Sequence, residues 1–287
     1  MSRKRYQIMK KSICSISMLF LLSLSMQACK PAPPSTPAME TPQDNDNVLS
    51  STIEPTTFPA LSEDTIESGQ HAHSYLTTTG EEIKYLLYIP ENYDQKENWP
   101  LIVFFHGYGA YGGNLDLLIK QGGLPAFLED NQNFEFVVLS PQLPSGRWGK
   151  YINPVDELLD HLNNTLSIDP NRYYLTGLSL GALGTWQYAL EYPDRFAAIA
   201  PIAGGVSFSD PPVPDNICTL KELSIWVFHG DADTTISPDS DKAVVAELEA
   251  CGADIKFTLY PDTDHAETWP LAYGDPSLYE WFLGISK

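Results

Sequence analysis

Apolar positions along the chain gather into short blocks, and the spacing of the blocks carries the first information. Ser74–Thr79 and Ile83–Ile89 read as a leading antiparallel strand pair around a Thr79-Gly80-Glu81 turn. Six further blocks follow: Leu101–Phe105, Phe136–Ser140, Tyr173–Thr176, Ala197–Ile202, Ile225–Phe228 and Ile255–Tyr260. Several are continuous apolar runs, as expected of strands buried on both faces. Between them lie helical stretches near Leu115–Leu128, Pro154–Leu166, Leu180–Tyr192, Asp239–Ala250 and Pro276–Leu283. Strands alternating with helices predict an α/β fold: a mostly parallel sheet of about eight strands with helices on both faces. These elements occupy residues 69–287 as a single domain, with no internal repeat and little room for a second one.

The N-terminal quarter of the chain has a different composition. Residues 1–28 hold Arg3, Lys4, Arg5, Lys10 and Lys11, then the apolar Ile16–Leu24, then Ser25-Met26-Gln27-Ala28 before Cys29. A basic start, an apolar core too short to span a bilayer and a small residue at the end predict a signal peptide. The segment resembles a bacterial lipoprotein signal, in which Cys29 becomes the lipidated first residue of the mature chain. Met26 is unusual three residues before such a cysteine, which keeps ordinary signal cleavage as the alternative. Either way the protein is exported, to the cell envelope on a lipid anchor or to the periplasm or medium. Residues 29–68, rich in Pro, Ser and Thr, have too few apolar side chains to offset their ordering entropy and predict a disordered tether.

Charge narrows the partners. The chain carries 17 Lys and Arg against 37 Asp and Glu, for a formal net charge of −20. Five of the basic residues and none of the acidic ones lie in the signal, so the exported part is more acidic still. Such a surface repels phosphate backbones and anionic lipid head groups, which excludes nucleic acid and leaves the lipid anchor as the contact with a membrane. Of the four cysteines, Cys14 and Cys29 belong to the signal. Cys218 precedes the strand Ile225–Phe228 and Cys251 ends the helix returning from it, so both fall at the amino edge of the sheet. A disulfide there suits an exported protein, and the spacing suggests no metal site.

In open parallel sheets chemistry collects at the carboxyl ends of the strands. Tyr173–Thr176 runs into Gly177-Leu178-Ser179-Leu180-Gly181, with Ser179 between a strand and a helix. A serine on so sharp a turn sits in a strained backbone with its hydroxyl above the sheet, and the flanking glycines are pressed together where a Cβ would clash. The strand Leu101–Phe105 leads into His106-Gly107-Tyr108-Gly109-Ala110-Tyr111-Gly112-Gly113. The backbone N–H of Tyr108, with that of Leu180, would make a two-donor oxyanion hole; the plainer reading is a flexible glycine loop. No Gly-Lys-Ser/Thr follows, so the loop is no phosphate cradle.

Beyond Ile225–Phe228 comes His229-Gly230-Asp231-Ala232-Asp233. Asp233 is placed to hydrogen-bond an imidazole, whereas Asp231, nearer the strand end, suits bracing the turn or facing solvent. Of the six histidines, His265 alone lies in the loop beyond both the serine and the acid. His106 and His229, each before a glycine at a strand end, read as structural. Tyr111, Trp148 and Trp269 are candidates to line a substrate cleft, and Trp148 is equally suited to packing in the interior.

From about residue 84 onward the chain resembles the secreted esterase group of the α/β-hydrolase superfamily. That group includes dienelactone-hydrolase-like, polyhydroxybutyrate-depolymerase-like and feruloyl-esterase-like proteins and "predicted peptidases". The matching pieces include residues 100–107, Ser140-Pro141-Gln142, residues 169–179, Tyr192-Pro193-Asp194-Arg195-Phe196, Phe228-His229-Gly230 and Tyr279-Glu280-Trp281. The order Ser179…Asp233…His265 is the one these hydrolases use. The resemblance implies Ser179 as nucleophile, Asp233 as acid and His265 as base, acting on carboxylic esters without metal or cofactor. A peptidase or a lysophospholipase on the same fold is the alternative, and a non-catalytic binding protein the remoter one. Ala182 departs from the group, which usually has a second glycine there. The connection from Ile202 to Ile225 is too short for a helical lid domain, so an open cleft is expected. Such a cleft suits short-chain or aromatic acyl esters, small or borne on a polysaccharide. Nothing in the sequence indicates an oligomer, and a monomer is the default.

Overall fold

The structure, a computed structural model, describes residues 58–62, 66–207 and 213–287. The expected signal peptide, the lipidation site Cys29 and most of the expected tether lie outside the described residues. Among the described residues no helix is long and apolar enough to cross a membrane.

Strands β1 (Gly69–Leu76), β2 (Glu82–Ile89), β3 (Trp99–Phe105), β4 (Val137–Gln142), β5 (Ile168–Leu178), β6 (Ala198–Ile202), β7 (Ser224–Gly230) and β8 (Ile255–Tyr260) form one sheet. Its order is β1-β2-β4-β3-β5-β6-β7-β8. The first two strands are antiparallel to their neighbours, and β4-β3-β5-β6-β7-β8 run parallel. Successive side chains of a strand point to opposite faces, and here both faces are apolar. Leu101, Val103 and Phe105 of β3 pack on one side with Leu158 and Leu162 of α3 (Ile152–Thr165) and Trp186 of α4 (Leu180–Glu191). Ile102 and Phe104 pack on the other with Leu124 of α2 (Leu124–Glu129) and Tyr273 of α6 (His265–Gly274). Phe282 of α7 (Pro276–Leu283) joins that second face, and α5 (Asp239–Ala250) contributes Val244 and Leu248 to the first. Each such fully buried side chain stabilises the fold by about 1.5–3 kcal/mol.

Several elements differ from the sequence reading; strand β5, for one, begins at Ile168 rather than Tyr173, and three other differences have a local explanation. Strand β1 begins five residues earlier than expected, because the edge is covered: Pro59 O accepts from Ser74 N–H at 3.1 Å, and Phe58 O from the Ser74 hydroxyl at 3.0 Å. The expected helix Leu115–Leu128 is broken into α1 (Asp116–Lys120) and α2. Gly122 and Gly123 both take positive φ there, 90° and 78°, a backbone no helix continues through. Helix α6, which begins at His265, was not anticipated at all; its interior Pro270 and weak amphipathic pattern hid it.

The register positions the site. Phe105 of β3 lies opposite Gly177 of β5, Leu178 opposite Ile202 of β6, Ile202 opposite Phe228 of β7, and Gly230 opposite Tyr260 of β8. Neighbouring strands therefore end level, and the segments leaving β3, β5, β7 and β8 converge on one edge.

Candidate active site

Ser179 follows β5 directly and is the N-cap of α4, with φ 54° and ψ −115°. This left-handed backbone is strained for serine and is held by the Ser179 N–H donating to Ile202 O at 2.9 Å. A Cβ on Gly177 would lie 2.5 Å from Gly181 O, and one on Gly181 only 2.0 Å from Phe105 O. Both positions must be glycine for the turn to close. Ala182, the departure from the resembled group, packs its methyl fully buried in the first turn of α4.

Helix α6 supplies the imidazole. Its N-cap Asp264 accepts from the Glu267 N–H and Glu267 reaches back to the Asp264 N–H, a capping box that fixes where His265 starts the helix. His265 Nε2 is 2.9 Å from Ser179 Oγ, and Nδ1 is 2.6 Å from Asp233 Oδ2. With Nδ1 donating to the carboxylate, Nε2 is left to accept the serine proton. Asp233 is 6% exposed. Its Oδ1 accepts from Thr235 N–H at 2.8 Å and Ile236 N–H at 2.9 Å. Burial acts to raise its pKa, but the Ile236 N–H, His265 and the Thr235 N–H outweigh it and hold the carboxyl below its ordinary range. Asp231 is exposed and lies outside this arrangement, its N–H bonded to Tyr260 O.

On the other side of the serine, Leu180 is the first residue of α4, so its N–H has no acceptor within the helix. The loop bearing Tyr108 is tied down by Gln121, just past α1: Gln121 Oε1 accepts from Gly107 N–H and Nε2 donates to Tyr108 O. Beneath the loop His106 is fully buried, accepting from Leu143 N–H on Nε2 and donating from Nδ1 to Gly107 O. Burial pushes its pKa down to about 4, so it stays neutral and can accept.

The aromatic candidates separate. Trp269 meets His265 edge-on at 5.3 Å and is half-buried. Tyr111 is half-buried against the strongly exposed Tyr108, with their ring centroids 5.3 Å apart. Trp148 is no cleft residue: it is 1% exposed, stacked on Phe105 at 3.8 Å, and donates from Nε1 to His106 O. Its apolar area is better satisfied between β3 and α4 than at a wet rim. Between β6 and β7 the described residues hold one 3₁₀ turn, Ile217–Leu220, and no helical lid; residues 208–212 lie outside the described residues. Cys218 and Cys251 are joined in a disulfide, Cα–Cα 5.8 Å. Glu247 lies beside them, but sulfurs bonded to each other offer no thiolate to a metal.

Sequence reasoning missed Gln121, which carried no signal inside an apparently continuous helix. It also missed the start of α6, for which Asp264-His265-Ala266-Glu267 was the available signal.

A mostly parallel sheet with a serine on a strained strand-to-helix turn, bonded to a histidine after the last strand, defines an α/β-hydrolase. Residues 130–272 match the family model described as "Dienelactone hydrolase family". The chain is 31% identical over 191 residues to "Poly(3-hydroxyalkanoate) depolymerase C" of Paucimonas lemoignei, spanning 53% of this chain and 44% of that protein. It is 22% identical over 231 residues to "Probable feruloyl esterase C" of Aspergillus terreus, spanning 70% and 84%. Among solved structures, one titled "Crystal Structure of a Thermostable Esterase" superposes with a TM-score of 0.66 at 27% identity, over 76% of this chain and 63% of that one. The chain thus spans less than half the length of the first curated relatives it matches.

Proposed function

We propose that this protein is a serine hydrolase that cleaves carboxylic esters through an acyl-enzyme. The observation that carries the reading is the unbroken hydrogen-bonded series Ser179 Oγ, His265, Asp233, with both imidazole bonds within 2.9 Å. His265 takes the serine proton as Oγ attacks the ester carbonyl, and Asp233 stabilises the imidazolium that forms. The N–H groups of Leu180 and Tyr108 receive the negative charge that develops on the carbonyl oxygen. His265 then protonates the leaving alcohol, and water repeats the sequence on the acyl group. The relatives named depolymerase and feruloyl esterase support an ester on a bulky partner, such as an acylated polysaccharide. Tyr108, Tyr111 and Trp269 are the residues to meet it. The N-terminal signal pattern and the disulfide support an exported protein anchored through Cys29.

Covalent labelling by a fluorophosphonate, traced to Ser179 by peptide mapping, tests the reading together with hydrolysis of p-nitrophenyl acetate. Ser179→Ala and His265→Ala should each lower kcat by about 10⁴-fold or more, and Asp233→Asn somewhat less. Near-normal turnover by Ser179→Ala would reject the proposal.

A further inference from the structure

The acid of the site is gripped from behind by a second histidine. His229, next to last in β7, is fully buried. Its Nε2 lies 3.0 Å from Asp233 Oδ2 and 3.0 Å from Ile236 O. Two acceptors face that nitrogen, so Nε2 carries a proton and donates. Nδ1 lies 2.6 Å from Oδ2 of Asp241, a fully buried residue in the first turn of α5. One proton is held between that nitrogen and that oxygen. Residues 231–238, which carry Asp233, join β7 to α5. The His229–Asp241 bond therefore closes the two ends of the loop on which the acid sits.

The charged groups acting on His229 are Asp241 and Asp233, and those acting on Asp241 are His229 and Asp233. Burial works to lower the His229 pKa, but the Asp241 carboxylate, the Ile236 carbonyl and Asp233 raise it above the ordinary value. Burial also pushes Asp241 up, with His229 pulling the other way. Both shifts keep the shared proton on the pair.

We propose that His229 and Asp241 are positioning residues for the triad, fixing the rotamer and the charge of the Asp233 carboxylate. The inference rests on the serine-hydrolase reading above. Asp233 Oδ2 accepts from both imidazoles at once, His265 at 2.6 Å and His229 at 3.0 Å. Without His229, Oδ2 keeps only the His265 bond and the carboxylate is anchored from one side by the two backbone donors on Oδ1; a displacement of about 1 Å at a reacting group can cost on the order of 10²-fold in rate. The His229 donor also draws charge from Oδ2. Removing it leaves more charge on the oxygen that meets His265 Nδ1, and so strengthens Asp233 as the partner of the imidazolium that forms during turnover.

The test uses the full chain with two variants: His229→Gln, whose amide can still donate to Asp233, and His229→Leu combined with Asp241→Leu. The double variant removes both buried polar groups together and leaves no unpaired charge to unfold the protein. With circular dichroism showing a native fold, kcat for p-nitrophenyl acetate should fall about tenfold or more in the double variant, with KM little changed. Its acid limb of kcat/KM should move to higher pH, while the Gln variant recovers most of the rate. The low-field proton resonance of His265 Nδ1–H, read without substrate, should shift or broaden in the double variant. A double variant with wild-type kcat, acid limb and resonance overturns the proposal. So does a slow one whose limb and resonance have not moved, since a merely structural pair would behave that way. If the wild type neither turns over esters nor takes the probe at Ser179, the functional reading fails, and the resonance alone decides the positioning.

Discussion

Gln121 holds the Tyr108 peptide from both sides: Oε1 accepts from the preceding Gly107 N–H at 2.9 Å, and Nε2 donates to Tyr108 O at 2.7 Å. The side chain thereby fixes the plane of the N–H proposed to meet the oxyanion. Gln121→Ala releases it, and kcat should fall about tenfold or more with a smaller change in KM. The bond to the oxyanion is made in the transition state rather than with bound substrate. A proportionate rise in KM at unchanged kcat would count against this role.

Acyl preference follows from the rim proposed around Ser179. Each methylene of a fatty chain needs burial to contribute about 0.8 kcal/mol, and the described rim is a strongly exposed Tyr108 beside the half-buried Tyr111 and Trp269. p-Nitrophenyl acetate and butyrate, or feruloyl esters, should be cleaved with much higher kcat/KM than the palmitate ester. A rise in kcat/KM toward long chains would show an apolar tunnel instead.

The disulfide joins the residue after α5 to the 3₁₀ turn before β7, closing a sequence separation of 33. A loop of that length contributes about 3–4 kcal/mol by restricting the unfolded chain. Cys218→Ser with Cys251→Ser should therefore lower Tm by roughly 10 °C, given about 2–4 °C per kcal/mol for a domain of this size. Activity at room temperature should be kept, because the bond sits at the amino edge of the sheet, opposite Ser179. Calorimetry beside an ester assay separates the two effects.

Alkaline stability should depend on His229. Its folded-state pKa is raised, so its contribution is fully present below the unfolded imidazole value of about 6.5 and is lost as pH rises through the folded value. The raised Asp241 acts with the same sign. Urea-unfolding free energy should therefore decline as pH rises beyond about 6.5 in the wild type. The decline should be shallower in the His229→Leu, Asp241→Leu protein, and equal slopes would contradict it.

The sequence by itself determined the parts of this protein that local physics dictates. Continuous apolar runs such as Leu101–Phe105 can only be strands covered on both faces, and β8 and α5 fall at the residues expected. Gly177 and Gly181 announced a turn too tight for a Cβ, and Ser179, Asp233 and His265 could be placed because each follows a strand. Tertiary structure decided what depends on neighbours distant in the chain. Trp148 turned inward because Phe105 and the His106 carbonyl offered it a stacking face and an acceptor. Gln121 became a clamp because Gly122 and Gly123 end α1 beside the loop at Tyr108, a placement that no sequence signal announced. His229, read as merely structural, met Asp233 and Asp241 because the β7–α5 connection folds back on itself and leaves buried polar atoms that must find partners. Hydrophobic periodicity reports which face of an element is covered; it carries no information on which polar groups the covering brings within 3 Å of one another.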